Sequence, residues 1–210
     1  MNKGIERAFS KGKAFIGFIT SGDPDLETTE KIVYAMDKAG CDLIELGISF
    51  SDPTAEGPVI QEANVRALSN GVTTDKVFEM VNRIRKNTDI PMVFMTYANV
   101  VYSYGIEKFC QKMVEGNMSG MILPDVPFEE KEEFDTVCKE YGLDLISMIA
   151  PTSHQRIQTI AKEANGFIYC VSSLGVTGVR SKITTDIGAM VDLVREVTDV
   201  PVAVGFGIST

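Results

Sequence analysis

Seven short apolar runs, separated by stretches of helical periodicity, restrict what this chain can fold into more than any other feature of it. The runs are AFIGFIT (14–20), DLIELGI (42–48), PMVFMTY (91–97), GMILPD (120–125), DLISMIAP (144–151), FIYCVSS (167–173) and VPVAVGFGI (200–208). Most are near-continuous rather than alternating with polar residues, the pattern of parallel strands covered on both faces. Between them, Val77, Met80, Val81 and Ile84 fall at i, i+3, i+4 and i+7, as do Phe134, Val137, Cys138 and Tyr141, and again Ile187, Met190, Val191 and Val194. That spacing lays an apolar stripe along one face of a helix. Strands and helices in alternation allow a doubly wound open sheet or a (β/α)8 barrel. No G-x-G-x-x-G follows the first run, which removes the main signal for a dinucleotide fold, and the sequence predicts an α/β protein of the (β/α)8 TIM barrel type.

Weak internal echoes support repetition: TDIPMVF (88–94) returns as TDVPVAV (198–204), and GCDLIE (40–45) as GLDLIS (142–147). Each marks a helix handing over to a strand. The 210 residues are 44% hydrophobic, enough for one substantial core, and no Pro/Ser-rich or low-complexity stretch divides them, so residues 1–210 are expected to form a single barrel domain. A complete barrel typically takes about 250 residues. The chain reaches GFGIST where a seventh loop should lead onward, so the expectation is a barrel lacking its eighth βα unit in this chain, C-terminally incomplete, with open edges on strands one and seven.

Charge and cysteine usage narrow the function classes. The formal net charge is −9 and the basic residues are scattered, whereas nucleic-acid binders mass Lys and Arg on one face. Small molecules or other proteins are the expected partners. The start, MNKGIERAFSKGKAF, has no apolar core with a cleavage site, and no later run approaches a membrane span, which predicts a cytoplasmic protein. Cys41, Cys110, Cys138 and Cys170 are widely separated with no C-x-x-C pair, so they read as reduced, buried, small apolar side chains rather than metal ligands. The single histidine, His154, lies in the polar turn PTSHQ and is given no catalytic role.

The chemistry concentrates in DLIELGISFSDPTAEGP (42–58). Side chains on a strand alternate, so Leu43, Glu45 and Gly47 share one side and Ile44, Leu46 and Ile48 the other. The apolar set faces the helices, which turns Glu45 into the barrel interior, near the strand's C-terminal end, where barrel active sites lie. A carboxyl there is expected to have a raised pKa, suiting a group that gives and takes protons near neutrality; a structural ion pair is the alternative. Glu56 follows in the loop, before Gly57 and Pro58, which mark a helix start. Taken alone, Glu56 reads as a solvated loop acid.

Here the sequence resembles a known family. ELGISFSDPTAEGPVIQEAN is similar to the signature of tryptophan synthase α subunits, and the likeness continues through FITSGDPD, MTYANVVYSYGIEKF, LPDVPFEE, APTS, YCVSSLGVTG and VGFGIS. The resemblance implies retro-aldol cleavage of indole-3-glycerol phosphate to indole and glyceraldehyde 3-phosphate, with no metal or organic cofactor, in a heterotetramer with a pyridoxal-phosphate β subunit. It assigns Glu45 as the acid/base and Glu56 as the stabiliser of the positive indole nitrogen. It implies that Phe18, Met95, Tyr97, Tyr169 and Phe206 belong to the substrate pocket and that Gly178 and Gly207 bind phosphate. Thr177, in a mobile lid, would bond the acid at position 56, while Asp52 and Asn99 would meet the β subunit.

Two positions depart from the family. The family has aspartate where this chain has Glu56, and the added methylene moves the carboxylate by roughly the 1 Å that can cost about 100-fold in a site built on positioning. The family has proline where this chain has Ser49, which frees φ as the chain leaves the strand. The second function the sequence leaves open is therefore a catalytically impaired module that docks on a β subunit. Other phosphate-binding barrels share the GFGI loop but lack ELGISFSDP followed by AEGP.

Overall fold

The computed structural model describes residues 1–172, Gly178 and 185–205. Seven parallel strands, β1 (Ile16–Thr20), β2 (Leu43–Gly47), β3 (Met92–Met95), β4 (Gly120–Ile122), β5 (Asp144–Ile149), β6 (Asn165–Val171) and β7 (Val202–Gly205), lie side by side in chain order. The helices among the described residues are α1 (Lys3–Phe9), α2 (Leu26–Lys38), α3 (Pro58–Ser69), α4 (Thr74–Ile84), α5 (Ala98–Tyr104), α6 (Ile106–Glu115), α7 (Glu132–Glu140), α8 (His154–Lys162) and α9 (Ile187–Arg195). The sheet curls into a barrel wall with β1 and β7 at its two ends, the architecture that the alternating pattern predicts. None of the described helices is long and apolar enough to cross a membrane.

Side-chain parity divides the core into two layers. Ile44, Leu46 and Ile48 pack outward against the buried stripe Val77, Met80, Val81 and Ile84 of α4. Leu43, Val93, Ile122, Ile146 and Phe167 form a separate inner cluster. Every residue of β2 is buried, whereas β7 is partly exposed along its length, with Val204 38% exposed. A strand covered on both faces is sealed; one at the end of the sheet is not. Cys41, Cys110, Cys138 and Cys170 are buried and not disulfide-bonded. Exposed His154 opens α8, whose N-cap is Ser153.

The apolar runs do not announce the first helix, which decides which end of the barrel is open. Ile5 and Ala8 of α1 are buried in the inner cluster, and Phe9 meets Phe167 at a ring separation of 5.7 Å. Its start is fixed by Asn2, whose side chain accepts from the Gly4 N–H at 2.8 Å and whose backbone N–H donates to Asp144 at 2.6 Å. Asp144 is the first residue of β5, so α1 plugs the N-terminal end of the barrel. The C-terminal end is left as the mouth, where barrel active sites are built.

Candidate active site

Glu45 sits in the middle of β2, in register with Phe18 on β1 and Val93 on β3. It is 4% exposed. Burial alone pushes its carboxyl up to about 7, because removal from water disfavours the charged form. Across the lumen stands Tyr169 of β6, whose phenol is pushed well above its ordinary value by burial and, secondarily, by the charge of Glu45. The ring of Tyr169 reaches over Gly205 of β7, where a Cβ would lie 2.1 Å from its hydroxyl, so only glycine admits it there. Phe18 lies over Gly47 in the same way, with ring atoms 2.8 Å from where a Cβ would be.

One pleat nearer the mouth, Gly47 pairs with Met95 of β3. Met95 and Tyr169 pack on the inner cluster together with Met148, beside buried Ile122. No motif in the sequence marks Met148 or Ile122. The signal for them was available in part: Met148 stands two residues beyond Ile146 on β5 and so faces the same side.

Glu56 is not the solvated loop acid that its sequence context suggests. It is 8% exposed and held from several directions. The hydroxyl of Tyr97 donates to its Oε2, the N–H of Ala55 donates to the same Tyr97 hydroxyl at 2.9 Å, and Gln61 Nε2 donates to the Glu56 carbonyl at 2.8 Å. Its pKa is raised by burial, against the lowering effect of the Tyr97 hydrogen bond, with Asp125 adding a smaller upward push. Glu56 keeps its charge only to the extent that its donors offset desolvation.

Asp125, also missed in the sequence, accepts the Ala98 N–H at 3.0 and 3.2 Å and so ties the loop after β4 to the start of α5. Ser49 is buried, and its hydroxyl donates to the Ser21 carbonyl at 3.4 Å, so the position of the family's proline is bridged to the β1 loop. Asp52 and Asn99 are both exposed, the first accepting from Ser51 Oγ at 2.5 Å and the second from Ser103 Oγ at 3.3 Å. Gly178 is exposed. Thr177, Phe206 and Gly207 lie outside the described residues. Among the described residues no group of three or more His, Cys, Asp or Glu is set to hold a metal ion.

The geometry is thus a buried carboxyl pushed up to about 7 on the inner face of β2 and a second, hydrogen-bonded carboxyl in the loop that leaves the same strand. Such a pair can divide proton transfer from charge stabilisation. Comparison with known proteins is consistent across sequence and structure. A family model described as tryptophan synthase alpha chain matches residues 6–210. The tryptophan synthase alpha chain of Lactiplantibacillus plantarum is 51% identical over 201 residues, covering 95% of this chain and 76% of that protein. The crystal structure of tryptophan synthase subunit alpha from Legionella pneumophila str. Paris superposes with a TM-score of 0.87 at 38% identity, covering 100% of this chain and 80% of that one. A chain of the tryptophan synthase a2b2 complex from Pyrococcus furiosus does so with a TM-score of 0.85 at 34% identity, over 93% of this chain and 79% of that one. This chain belongs to the tryptophan synthase alpha chain family.

Proposed function

We propose that the chain is a single (β/α) barrel domain that cleaves indole-3-glycerol phosphate to indole and glyceraldehyde 3-phosphate, working in the cytoplasm as the α subunit beside a tryptophan synthase β subunit. The observation that carries the reading is Glu45: a carboxyl buried in the lumen with a pKa of about 7, able to donate and accept a proton at the same pH. In its acid form Glu45 protonates C3 of the indole ring, leaving the positive charge on the ring nitrogen. The carboxylate so formed takes the proton of the hydroxyl on the adjoining carbon. As that oxygen becomes the aldehyde, the carbon–carbon bond breaks and its electrons neutralise the ring nitrogen. The proton balance closes, and nothing is oxidised or reduced.

Glu56, in its ionised form, accepts from the indole N–H and stabilises the transient cation. Phe18, Met95 and Tyr169 enclose the apolar ring, and the family resemblance assigns Phe206 to the same pocket. Gly178 offers its backbone N–H to the phosphate, the family resemblance assigns Gly207 to the phosphate and Thr177 to the acid at position 56, and Asp52 and Asn99 lie on the face that meets the β subunit. The test is indole release from indole-3-glycerol phosphate, measured for the chain alone and with a β subunit. Release that the β subunit enhances supports the reading; tight β-subunit binding with no release in either case replaces it with the docking module.

A further inference from the structure

Tyr97 stands where a pocket-lining role is expected, but its polar end is committed elsewhere. It is 3% exposed, and the loop between β2 and α3 is wrapped around it. The Phe50 ring lies 5.4 Å from the Tyr97 ring, the Ala55 N–H donates to its hydroxyl at 2.9 Å, and that hydroxyl donates its one proton to Glu56. A phenol has a single O–H to give. Spent on Glu56, it leaves none for a ligand.

We propose that Tyr97 is the positioning residue of the second acid, holding the Glu56 carboxylate in one orientation from the segment between β3 and α5, around which the β2–α3 loop is wrapped. The inference rests on the lyase reading for what Glu56 does, while the Tyr97–Glu56 link itself rests on geometry alone. The titratable groups that act on Glu56 are Tyr97, at the residue before α5, and Asp125, from the loop after β4. Of these only Tyr97 favours the ionised form, through a charge-assisted hydrogen bond. The substrate's positive ring nitrogen needs that form. Tyr97 therefore acts on kcat through Glu56, not on substrate affinity.

Tyr97→Phe keeps the ring against Phe50 and removes only the hydroxyl. Expected are a kcat lower by roughly ten- to a hundredfold at neutral pH, the weight of a hydrogen bond to a charged group, a largely unchanged KM, and a Glu56 limb of the pH profile displaced to higher pH. An unchanged kcat, a raised KM with unchanged kcat, or a lower kcat without displacement of the profile overturns the proposal. If the variant does not fold, the wild-type protein carrying 13C at tyrosine Cζ answers the same question. One tyrosine resonance should follow the Glu56 titration, and Glu56→Gln should abolish that transition; no such resonance overturns the link. This titration needs no turnover. A wild-type chain that releases no indole would remove the lyase reading and leave the Tyr97–Glu56 link to stand or fall by itself.

Discussion

The two acids of the mouth belong to one strand and its loop, and both are buried, yet their protons are governed differently. Glu45 is embedded in a ladder between β1 and β3, where neighbours supply apolar contact, and burial alone sets its ionisation near neutrality. Glu56 lies in a loop, where the Tyr97 hydroxyl, reaching in from the segment after β3, and the loop's own backbone N–H groups of Glu56 and Ala55 work against the same desolvation. A strand spends its N–H groups on the ladder and a loop does not. Burial by a sheet therefore makes a carboxyl that holds its proton, and burial by a loop can make one that gives it up.

The largest way to break this contrast is Glu45→Gln. The amide keeps the shape and has no proton to exchange, so indole release should fall by about 10²- to 10⁴-fold, the usual contribution of general acid–base catalysis. Glu56→Gln should lose the charge but leave the proton-transfer group intact. If the Glu45 variant turns over at the wild-type rate, the division of roles is wrong.

Next in size is stability, where the same substitution should help. Between its ordinary value of 4.5 and about 7, Glu45 binds a proton in the folded state that it lacks when unfolded. Stability therefore falls as pH rises through that window, by up to about 3 kcal/mol at roughly 1.4 kcal/mol per unit of pKa. Glu45→Gln never pays for ionisation, so it should be more stable than wild type by up to that amount above pH 7, and the gap should shrink toward pH 4.5. Urea unfolding at several pH values checks this; a gap independent of pH would place the effect in packing instead.

How much of this was legible depends on the range of the interaction. The lumenal direction of Glu45 follows from a period of two within one strand, and the faces of α4 and α7 follow from a period of 3.6, so the sequence states both directly. Val77, Met80, Val81 and Ile84 are all fully buried, as the spacing requires. The burial of Glu56 depends on Tyr97, a partner 41 residues away that sits at the end of a different strand, and no local pattern announces it. The plug formed by α1 depends on Asp144, a partner 142 residues from Asn2. Pro124 explains why β4 stops at Ile122 although its apolar run continues to Leu123, since proline removes a ladder donor. Local chemistry fixes which way a side chain points; what it meets there is set by the closure of the barrel.

The smallest test sharpens the loop side of the comparison. Asp125 acts on Glu56 from a distance and through charge, since its own carboxylate is occupied with the Ala98 N–H. Asp125→Asn retains an oxygen that can accept that N–H, so the start of α5 should hold while the negative charge disappears. The Glu56 midpoint should move down, opposite in sign to the shift expected of Tyr97→Phe and smaller than it, because Asp125 is the last and weakest of the influences on this group. Asp125 is also exposed, so salt should screen its effect: at 1 M ionic strength, where the Debye length is about 3 Å, wild type and variant should titrate together, whereas the Tyr97 effect should persist. Side-chain 13C titration of the glutamate carboxyls at low and high salt measures both. A Tyr97 effect that vanished with salt as the Asp125 effect does would mean that Glu56 is reached by solvent, and the distinction between a loop that shields its acid and one that merely carries it would be lost.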